Sequence, residues 1–201
     1  MSSAGGVDLS DAPLTIEAGM EGVSMTFLRN SAWITRTEVA ADADFSVPLH
    51  YHETHDEIFR VIEGRIEYTF GVSGANLKGS PNAHLSSKYE KKVFTPEDGE
   101  IVIPRGTIHG IRGIGELCIF EEKTDPMDEE KELFFRNIFA AGGMSANVFA
   151  VFQVFYYGDT IPVLPTGLRW MERSLVTFLG YHVAPKLGFK LKYDNSKAKT
   201  L

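Results

Sequence analysis

Residues 48–64 read PLHYHETHDEIFRVIEG, and this segment decides the interpretation of the chain. Alternate residues of a β-strand point to the same face, so His50 and His52 can converge on one point. Glu57 follows at a distance that lets the chain reverse and present a carboxylate from the next strand. Gly64 then favours a turn that closes this strand. The segment predicts two strands that bring two imidazoles and one carboxylate together.

A second segment, DGEIVIPRGTIH at residues 98–109, supplies His109 directly after a Pro-x-Gly turn. Three imidazoles and one carboxylate suit Fe(II), Mn(II), Ni(II), Cu(II), Co(II) or Zn(II), and leave two positions of an octahedral ion open. Open positions admit substrate, water or dioxygen, as in catalytic metal sites. We therefore predict that one divalent metal ion is bound by His50, His52, Glu57 and His109.

The two segments resemble the two signature motifs of the cupin superfamily. The first motif, H-x-H-x4-E-x6-G, is matched in full between His50 and Gly64. The second, G-x5-P-x-G-x2-H-x3-N, departs at two positions, because Gly99 stands one residue too close to the proline and Gly113 replaces the Asn. It is matched at three: Pro104, Gly106 and His109.

The resemblance implies a mainly β fold, namely a cupin-type antiparallel β-barrel or jelly roll, and a homodimer. A site of three His and one Glu resembles that of quercetinase-like and acireductone-type oxygenases, which favours a dioxygenase-type oxidoreductase. Two alternatives stay open. The same site could serve a non-redox isomerase, decarboxylase, dehydratase or lyase, or the chain could be a non-catalytic ligand-binding cupin without metal.

The chain divides into three regions by pattern. We expect an N-terminal arm at residues 1–22, the barrel at 23–124 and a helical extension packed on the barrel at 125–201. Short alternating segments separated by turn residues are typical of antiparallel β-structure. Candidate strands are residues 23–28, 32–39, 45–52, 57–62, 65–70, 92–95, 100–104, 108–112 and 116–122, with a long loop at 71–91.

Residues 125–201 show a helical pattern. Acidic residues before Leu133 predict the start of a first helix, which the pair at residues 142–143 ends. Ser145 is expected to cap a second helix at residues 146–157, and Thr166 a third at 167–180. The extension is rich in aromatic residues, and the preferred interpretation is a helical layer packed on the barrel or at a dimer interface. A lid over the barrel mouth and a helix on a membrane surface are the less favoured alternatives.

Four further residues are candidates for the site. His55 lies between His52 and Glu57. It could be an alternative metal ligand, a catalytic acid or base, or an exposed loop residue without a role at the site. Tyr68 is a candidate catalytic residue and Phe59 a candidate substrate contact, although core filling is the default for both. Arg36 could bind a carboxylate or phenolate of the substrate, but a surface ion pair with a neighbouring Glu is the simpler expectation.

The composition of the chain limits the kinds of molecule that it is expected to bind. The net charge is −7, and no run of Lys and Arg could follow phosphates, so we expect a small-molecule substrate and no nucleic acid. The apolar interior and tail suggest an aromatic or lipophilic substrate. One cysteine, Cys118, excludes an intramolecular disulfide. The start of the chain lacks the basic and apolar parts of a signal peptide, so a cytoplasmic protein is expected, with a membrane partner unlikely.

Overall fold

The computed structural model describes residues 9–71, 89–128, 131–143 and 146–193. Its core is one nine-stranded sheet whose described pairs are antiparallel. The strands are β1 (Thr15–Glu17), β2 (Val23–Phe27), β3 (Thr35–Val39), β4 (Ser46–Tyr51), β5 (Asp56–Gly71), β6 (Tyr89–Phe94), β7 (Ile101–Ile103), β8 (His109–Asp125) and β9 (Ile161–Pro162). The mainly β architecture predicted from the sequence is confirmed.

Two long strands, β5 and β8, organise the sheet. They pair with each other along their length, and each half of β8 has a different second neighbour: β4 at its start and β3 at its end. The first half of β5 pairs with β7 and its second half with β6. The sheet thereby wraps around one apolar cluster that includes Val39, Phe59, Ile66, Phe94 and Phe120.

Gly64 lies inside β5, so the predicted turn at this position is wrong. The register of β5 against β8 shifts on both sides of Gly64, and the chain continues as a strand to Gly71. Gly64 has a φ of 72°, and a Cβ atom here would collide with the backbone oxygen of Leu117. Glycine is needed because it permits the close approach of two strands with a left-handed backbone, rather than a chain reversal.

The region after β8 is helical: α1 (Lys131–Ala140), α2 (Val148–Tyr157) and α3 (Arg169–Val176), then a π-helical segment Thr177–Val183 and a 3₁₀ helix Ala184–Leu187. A second apolar cluster joins these helices to Tyr51 of β4. Strand β9 lies within this extension and pairs with β4, and β1 pairs with β2 from within the N-terminal arm. The sequence patterns predicted neither of these two strands.

The helix caps differ in part from the predictions. Asn147 caps α2, since its side chain accepts a hydrogen bond from the backbone N of Phe149 at 3.0 Å. Thr166 does not cap α3, because residues 164–167 form a turn closed by Gly167 N donating to Leu164 O, and the helix begins only at Arg169. Ser145 and residues 72–88 of the predicted loop lie outside the described residues. Among the described helices, none has both the length and the apolar character needed to span a membrane.

Candidate metal centre and cavity

Three adjacent strands bring the four predicted ligands together. His50 and His52 lie on or next to β4, Glu57 lies on β5, and His109 begins β8 directly opposite His50. One potential ligand atom of each of the four side chains lies within 4.8 Å of the others. His52, Glu57 and His109 are buried, and His50 is half-buried. The structure therefore brings together the set that the two motifs predicted.

A backbone carbonyl orients each of the three imidazoles. Nδ1 of His50 lies 2.8 Å from Pro48 O, Nδ1 of His52 lies 2.7 Å from Asp159 O, and Nδ1 of His109 lies 3.0 Å from Thr107 O. A carbonyl only accepts, so each Nδ1 carries the proton and donates it. In the neutral ring Nε2 then holds the free lone pair, which is the arrangement seen in metal-binding histidines.

The Glu57 carboxylate faces two of these Nε2 atoms. Its Oε2 lies 3.3 Å from His52 Nε2 and 3.1 Å from His109 Nε2. Because both Nδ1 atoms already donate to carbonyls, a hydrogen bond at Nε2 requires the doubly protonated ring. A divalent cation between these atoms would satisfy the same lone pairs without that second proton. The donor set of three nitrogens and one carboxylate thus fits a borderline divalent metal.

The pKa directions follow from burial and from mutual charge. Burial, followed by the charges of His109 and His52, holds the pKa of His50 well below 6.5. Burial, followed by the charge of Lys131, lowers the pKa of His52 to about 4. Burial alone would raise the pKa of Glu57, but His109 and His52 outweigh it and hold that pKa well below 4.5. Burial alone would lower the pKa of His109, but the charge and hydrogen bond of Glu57 outweigh it and raise that pKa above 6.5. Neutral His50 and His52 beside an ionised Glu57 are the protonation states that bind metals, and a metal ion on His109 would displace its Nε2 proton.

The antiparallel sheet around one core, with both motifs meeting at one point, is the arrangement that the cupin resemblance implies. The fold is of the cupin type. Gly106 ties the two motifs together, since its backbone N donates to His52 O at 2.6 Å. The Pro-x-Gly turn therefore fixes the end of the strand that carries His50 and His52.

Solved structures that are similar to part of this chain include the following three. The Drosophila melanogaster CENP-C cupin domain is 14% identical, with 62% of this chain and 83% of that chain covered at a TM-score of 0.39. A cupin superfamily protein from Desulfitobacterium hafniense is 21% identical (53% and 80% covered, TM-score 0.36). KdgF from Halomonas sp. is 21% identical (51% and 79% covered, TM-score 0.34).

No protein-family model matches the chain, and no curated protein matches it.

A cavity of about 340 Å³ lies over the four ligands. Its wall is mainly apolar and comes from both the sheet and the helical extension, with Phe45, Ile111 and Phe120 on the sheet side. Helix α1 contributes Phe134, Phe135, Ile138 and Phe139, so the extension covers the cavity rather than only packing on the outside of the sheet. A volume near 300 Å³ is at the small end of ligand-binding pockets.

Two charged residues that are not predicted ligands also line the cavity, Glu122 and Lys131. Burial, then the charge of Glu57, raises the pKa of Glu122 to about 8. Lys131 is 3% exposed, and its Nζ lies 3.4 Å from His55 Nε2. The two residues form no ion pair in the described part of the chain. Both are therefore available to a ligand in the cavity.

Tyr68 and Phe59 are stacked in the core. Their ring centroids are 4.0 Å apart with an interplanar angle of 11°, and both are almost completely buried. Tyr68 also lines the cavity, and burial, followed by the charge of Glu57, raises its pKa well above 10. Phe59 is not among the described residues that line the cavity. Its placement supports the core-filling interpretation, whereas a role for Tyr68 stays a prediction.

Arg36 lies away from the cavity, so a substrate-binding role finds no support in the structure. Its guanidinium donates to Oε1 of Glu121 from Nε at 3.0 Å and from Nη2 at 2.6 Å. Arg60 bonds the other carboxylate oxygen of Glu121 from the opposite side. The alternation of a strand explains this placement, because Arg36 lies between the buried Thr35 and Thr37 and points to the opposite face.

His55 is buried at 4% exposure, which excludes the exposed-loop interpretation. Its ring stacks on that of His52 at 4.5 Å, and its Nδ1 lies 3.3 Å from Oδ2 of Asp159. His52, His55 and Asp159 form a second group with metal-ligand spacing. The Asp159 oxygen nearest to His55, however, already accepts hydrogen bonds from the loop at residues 53–54. A structural role for this group is therefore the simpler interpretation.

Three residues at the site were not predicted: Glu122, Lys131 and Asp159. The inward orientation of Glu122 could have been predicted from the strand alternation, because Glu122 shares one face of β8 with the buried residues Cys118 and Phe120. Asp159 directly follows the C-terminal cap of α2 and has a φ of 51°. Nothing in the local sequence of Lys131 or Asp159 indicates that they meet the loop before Glu57, which lies 76 residues before Lys131 at His55 and 106 residues before Asp159 at Glu53.

Proposed function

We propose that this chain is a mononuclear, metal-dependent enzyme of the cupin type that acts on a small aromatic or lipophilic molecule, with dioxygenase chemistry as the main candidate. The observation that carries the proposal is the convergence of three carbonyl-oriented imidazoles and Glu57 at the base of a mainly apolar cavity. A purely structural cluster would not need an adjoining cavity.

Four side chains would hold the metal: His50, His52, Glu57 and His109. The bound ion would supply an electrophilic centre with open positions for a substrate oxygen and, if it is redox-active, for dioxygen. Each imidazole would present Nε2 while its Nδ1 stays on a backbone carbonyl. That second bond limits rotation of the ring and so preorganises the site.

The cavity wall supplies the remaining contributions. Phe134, Phe135 and Phe139 of α1, together with Phe45 and Phe120 on the sheet side of the cavity, would exclude water from the space above the ligands and favour an apolar substrate. Confining the substrate there would reduce the entropic cost of bringing its reacting atoms to the centre. Glu122 could accept or donate a proton near neutral pH, because its pKa is about 8.

The second candidate function, a non-redox isomerase or lyase, is favoured by Glu122 and Lys131 specifically. Dioxygenase chemistry requires no ionisable group beyond the ligands, whereas proton transfer between positions of a substrate does. A general acid–base residue contributes about 10² to 10⁴ to a rate. This candidate therefore predicts a large loss of activity in Glu122→Gln with the metal content unchanged.

Oxygen dependence distinguishes the two chemistries. Protein loaded separately with Fe(II), Mn(II), Ni(II), Cu(II) or Zn(II) is incubated with a panel of apolar phenols, enols and carboxylic acids, in air and under argon. The proposal predicts that substrate is consumed, with oxygen uptake, only when the bound metal is redox-active. This activity should be absent in the double variant His50→Ala/His52→Ala. It should be retained in His182→Ala, which changes an exposed histidine outside the cluster. Equal turnover under argon with Zn(II) would establish the isomerase or lyase candidate instead.

A further inference from the structure

Lys131 is a buried cation that faces an apolar cavity. It is 3% exposed and is the one lysine or arginine among the described residues that line the cavity. Its Nζ lies 4.9 Å from the ring centroid of Phe134 and 3.4 Å from Nε2 of His55. Lysine is rarely buried to this extent without a carboxylate partner, because burial of an unpaired charge is costly.

Asp159 and His55 explain how Lys131 is positioned. The Asp159 carboxylate lies 3.3 Å from Nδ1 of His55, which places the imidazole proton on Nδ1 and leaves Nε2 as an acceptor. The Lys131 ammonium can donate one of its three protons to that acceptor. It forms no other hydrogen bond in the described part of the chain, so donors remain for a ligand.

The charges around the cavity favour an anion. The Glu57 carboxylate is occupied inside the ligand cluster, since its Oε2 lies 3.3 Å from Nε2 of His52 and 3.1 Å from Nε2 of His109. Glu122, whose pKa burial raises to about 8, is largely neutral at pH 7 and would not repel a negatively charged ligand. Although the charge of Lys131 acts on Glu122, the Lys131 ammonium forms no close ion pair with a carboxylate among the described residues, so an anionic ligand could supply that partner.

We propose that Lys131 binds the carboxylate of the substrate, so that the substrate class is a small carboxylic acid with an apolar body. The carboxylate would accept the free donors of Nζ, and the apolar body would fill the space between α1 and the sheet. His55 and Asp159 are positioning residues that act through Lys131. The inference deepens the proposed function at the same site, although binding by Lys131 requires no turnover.

A matched pair of probes tests this proposal. Octanoate and 1-octanol have the same chain length, and only octanoate carries a charge at pH 7.5. Each displaces the neutral fluorophore N-phenyl-1-naphthylamine from the cavity, in chelator-treated and in Zn(II)-loaded protein. Charge-assisted hydrogen bonds are about twice as strong as neutral ones, so we expect at least about ten-fold tighter binding of octanoate by the wild type.

The variant Lys131→Met keeps the apolar stem and removes the charge. It should lose about ten-fold or more in octanoate affinity and keep its octanol affinity, whereas Lys186→Met, an exposed lysine, should behave as the wild type. Lys131→Gln, which keeps a donor for His55, carries the test if the Met variant does not fold. Unchanged octanoate affinity in the folded variant, or no preference in the wild type, would overturn the proposal. If the protein prefers octanoate over octanol but binds no metal, the proposed function is refuted and the proposal for Lys131 stands.

Discussion

Asp159 connects the helical extension to the metal site, and its substitution is the sharpest structural prediction. Its Oδ2 accepts hydrogen bonds from the backbone N of Glu53 at 3.0 Å, the backbone N of Thr54 at 2.8 Å and Oγ1 of Thr54 at 2.6 Å. Its backbone O accepts the Nδ1 proton of His52 at 2.7 Å. The residue thus holds the loop that joins two predicted ligands, His52 and Glu57.

Two contributions determine the expected loss of stability. Each hydrogen bond contributes about 0.5 to 1.5 kcal/mol net, so the three bonds to the carboxylate contribute about 1.5 to 4.5 kcal/mol. The backbone φ of 51° costs a residue with an ordinary Cβ about 1 to 2 kcal/mol, a cost that Asp, Asn and Gly largely avoid. Asp159→Ala loses both contributions, Asp159→Gly mainly the first, and Asp159→Asn only part of the first.

Urea denaturation of the chelator-treated protein at pH 7 measures the three variants. The expected destabilisation increases from Asn (roughly 1 kcal/mol) to Gly (about 1.5 to 4.5 kcal/mol) and then to Ala, which should lose about 1 to 2 kcal/mol more than Gly. We also expect about ten-fold weaker Zn(II) binding by Asp159→Ala, because the loop beside His52 loses its anchor. Equal stability of the Asn and Ala variants would refute both the hydrogen bonding and the backbone argument.

Two other predictions concern ion pairs away from the cavity. Arg36→Ala should lower the free energy of unfolding by only about 1 kcal/mol, because the guanidinium is partly exposed. The affinity for octanoate should not change. Weaker octanoate binding by this variant would support a substrate-binding role for Arg36. Glu132→Gln should cost about 2 to 4 kcal/mol at pH 7, because it leaves the buried guanidinium of Arg136 unpaired. The arginines outweigh burial and lower the pKa of Glu132 below 4.5, so its contribution is present above pH 4.5 and disappears as the pH falls further. A gap between Glu132→Gln and wild type that stays constant in urea titrations down to pH 3 would contradict this.

The β-structure was predictable because apolar and polar residues alternate along the individual strands. Strands such as β2, with its pattern of buried and half-buried residues, follow directly from that period. The strand ends were less predictable. The sequence predicts a turn at Gly64, because it does not show that the backbone of Leu117 approaches this residue. The same residue type serves a reversal or a close contact, and only the packing distinguishes the two.

The four predicted ligands are close in sequence or follow a recognisable turn, and the structure brings all of them together. The surrounding residues were not predictable in the same way. Asp159 lies more than a hundred residues beyond the loop that it holds, and Lys131 lies 76 residues beyond His55. Such contacts depend on how α1 and α2 pack over the sheet. Local pattern therefore predicted the ligands, and tertiary structure determines what lies around them.

Metal analysis by mass spectrometry tests the central claim most directly. Wild type, His52→Ala and the surface control His182→Ala are compared as purified and after reconstitution with Fe(II) or Zn(II). The account predicts about one equivalent of a divalent metal in wild type and in His182→Ala, and a loss of most of it in His52→Ala. Wild type that binds no metal after reconstitution, or His52→Ala that retains a full equivalent, would contradict the account.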